Sequence, residues 1–360
     1  MTKMDTKPLD SEELVKNKLQ ELIDFRKDGQ DIREFWGKQF DLGLAWVQFP
    51  EGAGGLGVNP KYQLLITDTL RNEGISQQNK IANILGIGMG APTIVEYGTP
   101  EQISTYLRPM FTTEEIWCQL FSEPGSGSDL ASLSTKAIDD GDGYIVNGQK
   151  VWTTLGHLAK WGLIVTRTDP SVPKHRGLTF FIVDMESDGV DVRPLRQITG
   201  EAEFNEVYFT DVKIPKENML GSVGDGWRVS LAILMNERVA IGGNVRERGS
   251  GAPGHLVQLW KDNDLDDPVT RDKLISLWIE QEAVRLTNMR AIENREKGTP
   301  GPEGSTSKLY EAEINKSSYE FGMEMLGNEG LLFPRGYALT QPELNFDNET
   351  FGFTDTQSLF

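Results

Sequence analysis

Two runs, Tyr144-Ile145-Val146 and Lys150-Val151-Trp152, flank Asn147-Gly148 in the stretch that decides how this chain folds. β-Branched and aromatic residues suit a pleated, half-buried surface. Asn-Gly accepts the positive φ angles of a two-residue turn, so the spacing predicts a β-hairpin over residues 144–152. More strand-like runs follow: Trp161 to Thr166, Leu178 to Val183, Val190 to Val192 and Glu206 to Phe209. Short strands at regular spacing, with no helix between them, point to a small antiparallel barrel or sandwich.

On both sides of this region the helical period returns. Asp10 followed by Glu13 is a capping box that opens a helix through Leu22, and Thr99-Pro100-Glu101-Gln102 is a second start signal. The glycine-rich loop from Pro50 to Gly57 breaks the helical region between them. Downstream, Trp227 to Ile241, Asp267 to Glu296 and Gly304 to Leu326 read as long helices. The expected division is residues 1–115 (helical), 116–222 (β) and 223–360 (helical). The last residues, Asp355 to Phe360, carry no stop signal, so the chain reads as cut inside an element.

The 360 residues are 38% hydrophobic and 25% charged, ample for a packed core in two or three units. Thirty-six basic residues stand against 54 acidic ones, a net charge of −18. Such a surface repels nucleic acid and anionic membranes, so neither is an expected partner, and an anionic substrate needs a local basic patch. A single cysteine, Cys118, forbids an internal disulfide framework and favours a reducing compartment. No run has the length of a signal peptide or of the roughly 20 apolar residues of a membrane span, so a soluble, cytoplasmic protein is expected.

His157, His175 and His255 lack metal-ligand spacing, and no metal site is expected. Gly86-Ile87-Gly88-Met89-Gly90 does not lie between a strand and a helix of a βαβ unit, so close helix packing explains it better than a dinucleotide loop. Phe121-Ser122-Glu123-Pro124-Gly125-Ser126-Gly127-Ser128-Asp129 has the glycine and serine density of a backbone that approaches a polar or phosphate-bearing ligand; read alone it is also an ordinary loop. Glu237 sits in an apolar helix, with Ile233, Leu234, Ala240 and Ile241 at helical spacing. A carboxylate there is either paired or raised in pKa, which leaves two readings open: a structural ion pair with a neighbouring helix, or a general base.

Taken with Gly98-Thr99-Pro100-Glu101-Gln102, Trp117-Cys118-Gln119-Leu120, Asn147 to Thr154 and Asp211 to Gly221, these two features resemble the acyl-CoA dehydrogenase family in order and over the whole chain. The resemblance implies an α+β multidomain protein: an N-terminal helical domain, a middle antiparallel β-barrel domain and a C-terminal four-helix bundle, with FAD between barrel and bundle. It places flavin contacts on Gln119, Phe121, Ser122, Ser128, Trp152, Thr153 and Thr154, with Trp152 flanking the ring system and Ser128 also touching the pantetheine of CoA. Without the family, Trp152 reads as a core aromatic. Residues 82 to 92 are expected to line the acyl pocket, their glycines leaving room for a bulky group.

The implied reaction is α,β-dehydrogenation of an acyl-CoA thioester to the trans-2-enoyl-CoA, with electrons passed to an electron-transfer flavoprotein by a dimeric or tetrameric enzyme. Members carry the catalytic glutamate either late in the chain, beyond Phe360 here, or just before an arginine on the first long bundle helix. Glu237 in Met235-Asn236-Glu237-Arg238 matches the second position, as in long-chain and isovaleryl-type members. Arg238 then assists as a nearby positive charge at the substrate.

Two departures stand out. The Arg-x-x-Phe-Gly segment common early in the bundle is absent between His255 and Ile275, and Glu324-Met325-Leu326-Gly327-Asn328 replaces the usual Gln-Ile-Leu-Gly-Gly. Both touch flavin contacts between subunits and resemble bacterial members that act on steroid side chains or assemble as hetero-oligomers. Two alternatives follow: a flavin oxidase or monooxygenase on the same fold, or a non-catalytic subunit supporting an active partner.

Overall fold

The computed structural model describes residues 11–332, apart from 78, 199–201, 243–244, 246, 264 and 297–300. Six helices come first: α1 (Ser11–Phe25), α2 (Ile32–Asp41), α3 (Tyr62–Asn72), α4 (Asn79–Ala82), α5 (Ala91–Tyr97) and α6 (Pro100–Phe111). Seven strands follow: β1 (Trp117–Leu120), β2 (Lys136–Asp139), β3 (Gly143–Thr154), β4 (Trp161–Arg167), β5 (Leu178–Asp184), β6 (Val190–Leu195) and β7 (Phe204–Pro215). Four helices close the described chain: α7 (Gly226–Gly242), α8 (Ala252–Asp262), α9 (Pro268–Glu296) and α10 (Glu303–Leu326). Two compact units divide between Ile233 and Leu234, within α7. The expected cap Asp10 and the chain end at Phe360 lie outside the described residues.

The helix-start signal at Thr99 is realised in full. Its hydroxyl accepts from the Gln102 amide at 3.2 Å, while Gln102 Oε1 accepts from the Thr99 amide at 2.9 Å. Gln102 also donates to the carbonyls of Glu217 and Met219, at 2.7 and 3.0 Å, tying α6 to the end of the β region. Tyr106 packs edge-on against both Trp117 and Trp161, so aromatic area cements α6 to β1 and β4.

The seven strands form one sheet in the order β1-β4-β2-β3-β7-β6, with β5 on β4. It is not wholly antiparallel as expected: β1 and β2 both pair parallel with β4. The predicted hairpin is absent. β3 runs straight through Asn147-Gly148 and pairs along its length with β7. The register shifts between Val146 and Gly148, a bulge rather than a turn. Tertiary contacts explain it. The Asn147 side chain exchanges hydrogen bonds with Asp211, donating to its carboxylate and accepting from its amide, each at 3.0 Å. A Cβ on Gly148 would stand 2.4 Å from Thr135 Oγ1, so glycine is required for close approach.

Inward residues of the sheet, among them Cys118, Val146, Ile164, Phe181 and Val207, form a core with almost no exposed surface. The glycine-rich run around Met89 is one π-helical turn, Gly86–Gly90. Here the packing explanation holds: a Cβ on Gly86 would meet Met110 at 2.9 Å, and one on Gly90 would meet Leu163 at 3.3 Å. Those two glycines therefore leave no room for a bulky ligand group. In the second unit α8, which the sequence reading missed, packs with α9 and α10 around Leu256, Leu274 and Phe321.

Candidate functional site

The serine-rich loop is anchored from below by charge. Glu123 and Lys150 are both buried and form an ion pair at 2.9 Å. Lys150 also donates to the Phe121 carbonyl at 3.0 Å. Glu123 accepts from the amides of Ser134 (2.6 Å) and Thr135 (2.9 Å) and from the Ser134 hydroxyl (2.7 Å). Burial works to raise the Glu123 carboxyl, but Lys150 and the bonds donated by Thr135 and Ser134 outweigh it and hold it at about 2. Burial pushes the Lys150 ammonium down to about 8, with Glu123 opposing. Both groups are charged at neutral pH. The Val151 amide donates to the Ser122 carbonyl at 2.9 Å, so loop and strand are stapled together.

On this base the predicted contact residues are presented unequally. Trp152, read without the family as a core aromatic, is 60% exposed, with only its edge against Phe204. Its φ of +60° is left-handed, a costly conformation for a bulky side chain, and it coincides with a register shift between Lys150 and Thr153. The left-handed backbone and the outward indole occur together at this irregularity. Thr153 is buried; its carbonyl accepts from Asn205 at 3.0 Å, while its hydroxyl has no partner among the described residues. Gln119, Ser122 and Thr154 are half-buried, Ser128 is exposed, and Phe121 is buried against Phe180. Gly125 and Gly127 have open space where a Cβ would stand. An exposed indole, an orphaned hydroxyl and an open glycine-serine backbone on one rigid base fit a flat aromatic cofactor with polar edges.

A basic loop beside this platform was not singled out in the sequence. Lys174, His175 and Arg176 are consecutive and exposed at the turn between β4 and β5. Lys174 reaches both carboxylate oxygens of Asp129 at 2.7 Å and Ser132 at 3.1 Å. Arg167 donates to the carbonyls of Ala131, Leu133 and Lys174, which locks the loop to the serine-rich segment. His175 stacks edge-on against Trp227 at 4.8 Å. Three consecutive basic residues in so acidic a chain were the available signal.

An open cavity of about 630 Å³ lies elsewhere, lined by Glu114, Glu115, His157, Lys160 and Glu186 among others. None of the predicted contact residues lines it, and its three carboxylates suit a polyanionic ligand poorly.

In the second unit Glu237 is ion-paired with Lys308 of α10, so the structural reading left open by the sequence is realised. The neighbouring Arg238 donates to Ser305 Oγ at 3.1 Å and approaches Met235 Sδ at 3.3 Å. Ser305 and Lys308 thus clasp Glu237-Arg238 from one face of α10. The side chains of Ala240 and Ile241 lie outside the described residues. Among the described residues no cluster of His, Cys, Asp and Glu could hold a metal, and no helix is long and apolar enough to cross a membrane.

Comparison with known proteins places three family models along the chain: the acyl-CoA dehydrogenase N-terminal domain over residues 11–114, the middle domain over 118–212 and the C-terminal domain over 224–343. The acyl-CoA dehydrogenase FadE34 of Mycobacterium tuberculosis is 40% identical over 81% of this chain, which spans only 40% of that protein's length. The acyl-CoA dehydrogenase IpdE1 of the same organism is 34% identical over 84% of this chain and 78% of its own. Among solved structures, the ChsE4-ChsE5 complex of M. tuberculosis is similar with a TM-score of 0.68 and 28% identity, covering 94% of this chain and 90% of that one.

Proposed function

From the premise that this chain belongs to the acyl-CoA dehydrogenase family, we propose that it dehydrogenates an acyl-CoA thioester between the α and β carbons. The observation that carries this reading is the stapled platform of Ser122, Ser128, Trp152 and Thr153, which fits FAD in chemistry and exposure. FAD, when bound, would supply the acceptor for the hydride lost from the β carbon, which carries both electrons. Trp152 would hold the face of the ring system, Thr153 and Thr154 would offer hydrogen bonds to its polar edge, and Gln119, Phe121, Ser122 and Ser128 would line the approach. The basic loop Lys174-His175-Arg176 supplies the patch that a CoA phosphate requires on an acidic chain.

Glu237 takes the α proton onto its carboxylate, and Arg238 favours the negative charge that develops on the thioester as the proton leaves. A carbon acid this weak needs its base held in place, and the clasp from Ser305 and Lys308 supplies that restraint. The finer architecture goes with this reading: a barrel-like middle domain and a four-helix bundle. So do reoxidation by an electron-transfer flavoprotein, assembly as a homo- or hetero-oligomer, and a cytoplasmic location.

The test is an absorbance spectrum of the purified protein, followed by anaerobic addition of a panel of CoA esters. Bleaching of bound flavin by at least one ester is expected. A flavin that stays oxidised with every ester, or a protein that takes up no FAD alone or with a partner chain, removes the assignment. Rapid reoxidation by dioxygen would favour an oxidase. Flavin uptake only after mixing with a second protein would favour the supporting-subunit reading, which the altered segment Glu324 to Asn328 motivates.

A further inference from the structure

One face of the stretch from Asn79 to Ile94 is open while the rest is enclosed. Lys80, Ile84, Gly88 and Pro92 are half-buried; every other residue whose side chain is described in that stretch is buried. They recur every fourth position. Four residues overshoot an α-helical turn by about 40°, and the wider π turn at Gly86–Gly90 offsets that drift, so the strip runs straight.

The strip lies alongside the strand that leads into the flavin platform. Asn83 anchors its first half, accepting from the Trp117 amide at 3.0 Å and donating to the carbonyls of Met110 and Glu115. Gly90 anchors the second half against Leu163, whose partner across the sheet is Gln119. The strip therefore runs in the same sense as β1. Pro92 lies toward the Gln119 end of β1, and Lys80 lies at the far end, on the order of 15 Å away at helical rise.

Three of its four members are apolar or without a side chain, and the fourth is a cation. Lys80 donates to Gln77 Oε1 at 3.0 Å, and among the described residues no carboxylate pairs with it. Burial, with Arg71 adding to it, pushes this ammonium down to about 8. A half-buried cation that meets only a neutral amide is an incomplete pair.

Resting on the acyl-CoA reading above, we propose that this strip is the wall along which the acyl chain lies, and that Lys80 pairs with a carboxylate at the chain's distal end. The preferred substrate class is then the CoA monothioester of a dicarboxylic acid. The apolar strip accommodates the methylene or ring portion, and Lys80 selects its charged terminus.

Calorimetric binding of non-oxidisable CoA thioethers tests this without turnover. S-(ω-carboxyalkyl)-CoA and S-alkyl-CoA of matched, increasing length are titrated into the flavin-loaded protein and its Lys80→Met and Lys80→Arg variants. Over one window of chain lengths the carboxylate should raise affinity on the order of 10- to 100-fold in the wild type, and substantially in Lys80→Arg. Lys80→Met should lose that advantage while still binding the S-alkyl series. A carboxylate that helps at no length, or an advantage that survives in Lys80→Met, overturns the subsite and leaves the acyl-CoA reading standing. If no thioether of either series binds, the acyl-CoA reading fails and the subsite falls with it.

Discussion

Lys150 Nζ stands 2.9 Å from Glu123 Oε1, with the two side chains 0% and 4% exposed, directly beneath the serine-rich loop and strand end proposed to carry the flavin. An ion pair this dry is retained only if its hydrogen bonds are complete, and here the Phe121 carbonyl and the Ser134 and Thr135 amides complete them. The platform's rigidity thus depends on two charges buried beneath it.

Removing one partner should be costly. Lys150→Met leaves Glu123 buried and uncompensated, and a loss of about 3–5 kcal/mol is expected in urea unfolding, with weaker FAD retention. The double variant Lys150→Met/Glu123→Leu should recover most of that stability. Equal damage in the single and double variants would show that the charges are not coupled.

The same pair sets an acid limit. Glu123 is held at about 2 in the folded protein, against an ordinary value of 4.5. Its folded value is depressed, so its contribution is fully present above about 4.5 and is lost as the pH falls from there toward 2. Unfolding free energy should therefore fall on acidification below pH 4.5. That part of the slope should vanish in Lys150→Met/Glu123→Leu, and an unchanged slope would contradict the assignment.

Trp152 predicts a trade between stability and function. Glycine at this position relieves the left-handed strain, so Trp152→Gly should raise the melting temperature of the FAD-free protein, corresponding to about 1 kcal/mol. The same substitution should weaken FAD retention in a dialysis assay. Unchanged retention would show that the exposed indole has no part in flavin binding.

Glu237→Gln should slow anaerobic flavin bleaching by about 10²–10⁴-fold while leaving the flavin bound. Lys308→Met should have a smaller effect, because its side chain is 40% exposed and solvent screens the pair. A Glu237→Gln protein that bleaches at the wild-type rate would move the base elsewhere.

The basic loop should report on the phosphates of CoA. Lys174→Ala/Arg176→Ala is expected to raise KM for an acyl-CoA by about tenfold with little change in kcat, and the penalty should shrink at high salt. An unchanged KM would remove the loop from the binding site.

What the sequence alone determined are the features written in neighbouring residues. The capping box at Thr99 and Gln102 closes within one turn, and the long helices α7, α9 and α10 start and stop within a residue or two of their expected ends. Local hydrogen bonds and side-chain periodicity act over a few residues, so a short window contains them. Resemblance over the whole chain supplied the family.

Only the tertiary structure decided the rest. Asn147-Gly148 has the local chemistry of a turn, yet Asp211 and Thr135, distant in sequence, make it a bulge within a continuous strand. Glu123 meets Lys150 across 27 residues, Lys174 meets Asp129 across 45, and Glu237 meets Lys308 across 71. A buried or half-buried charge must find a partner, but its composition does not say which one. That choice is made by the folded backbone, which brings distant segments within reach of one another.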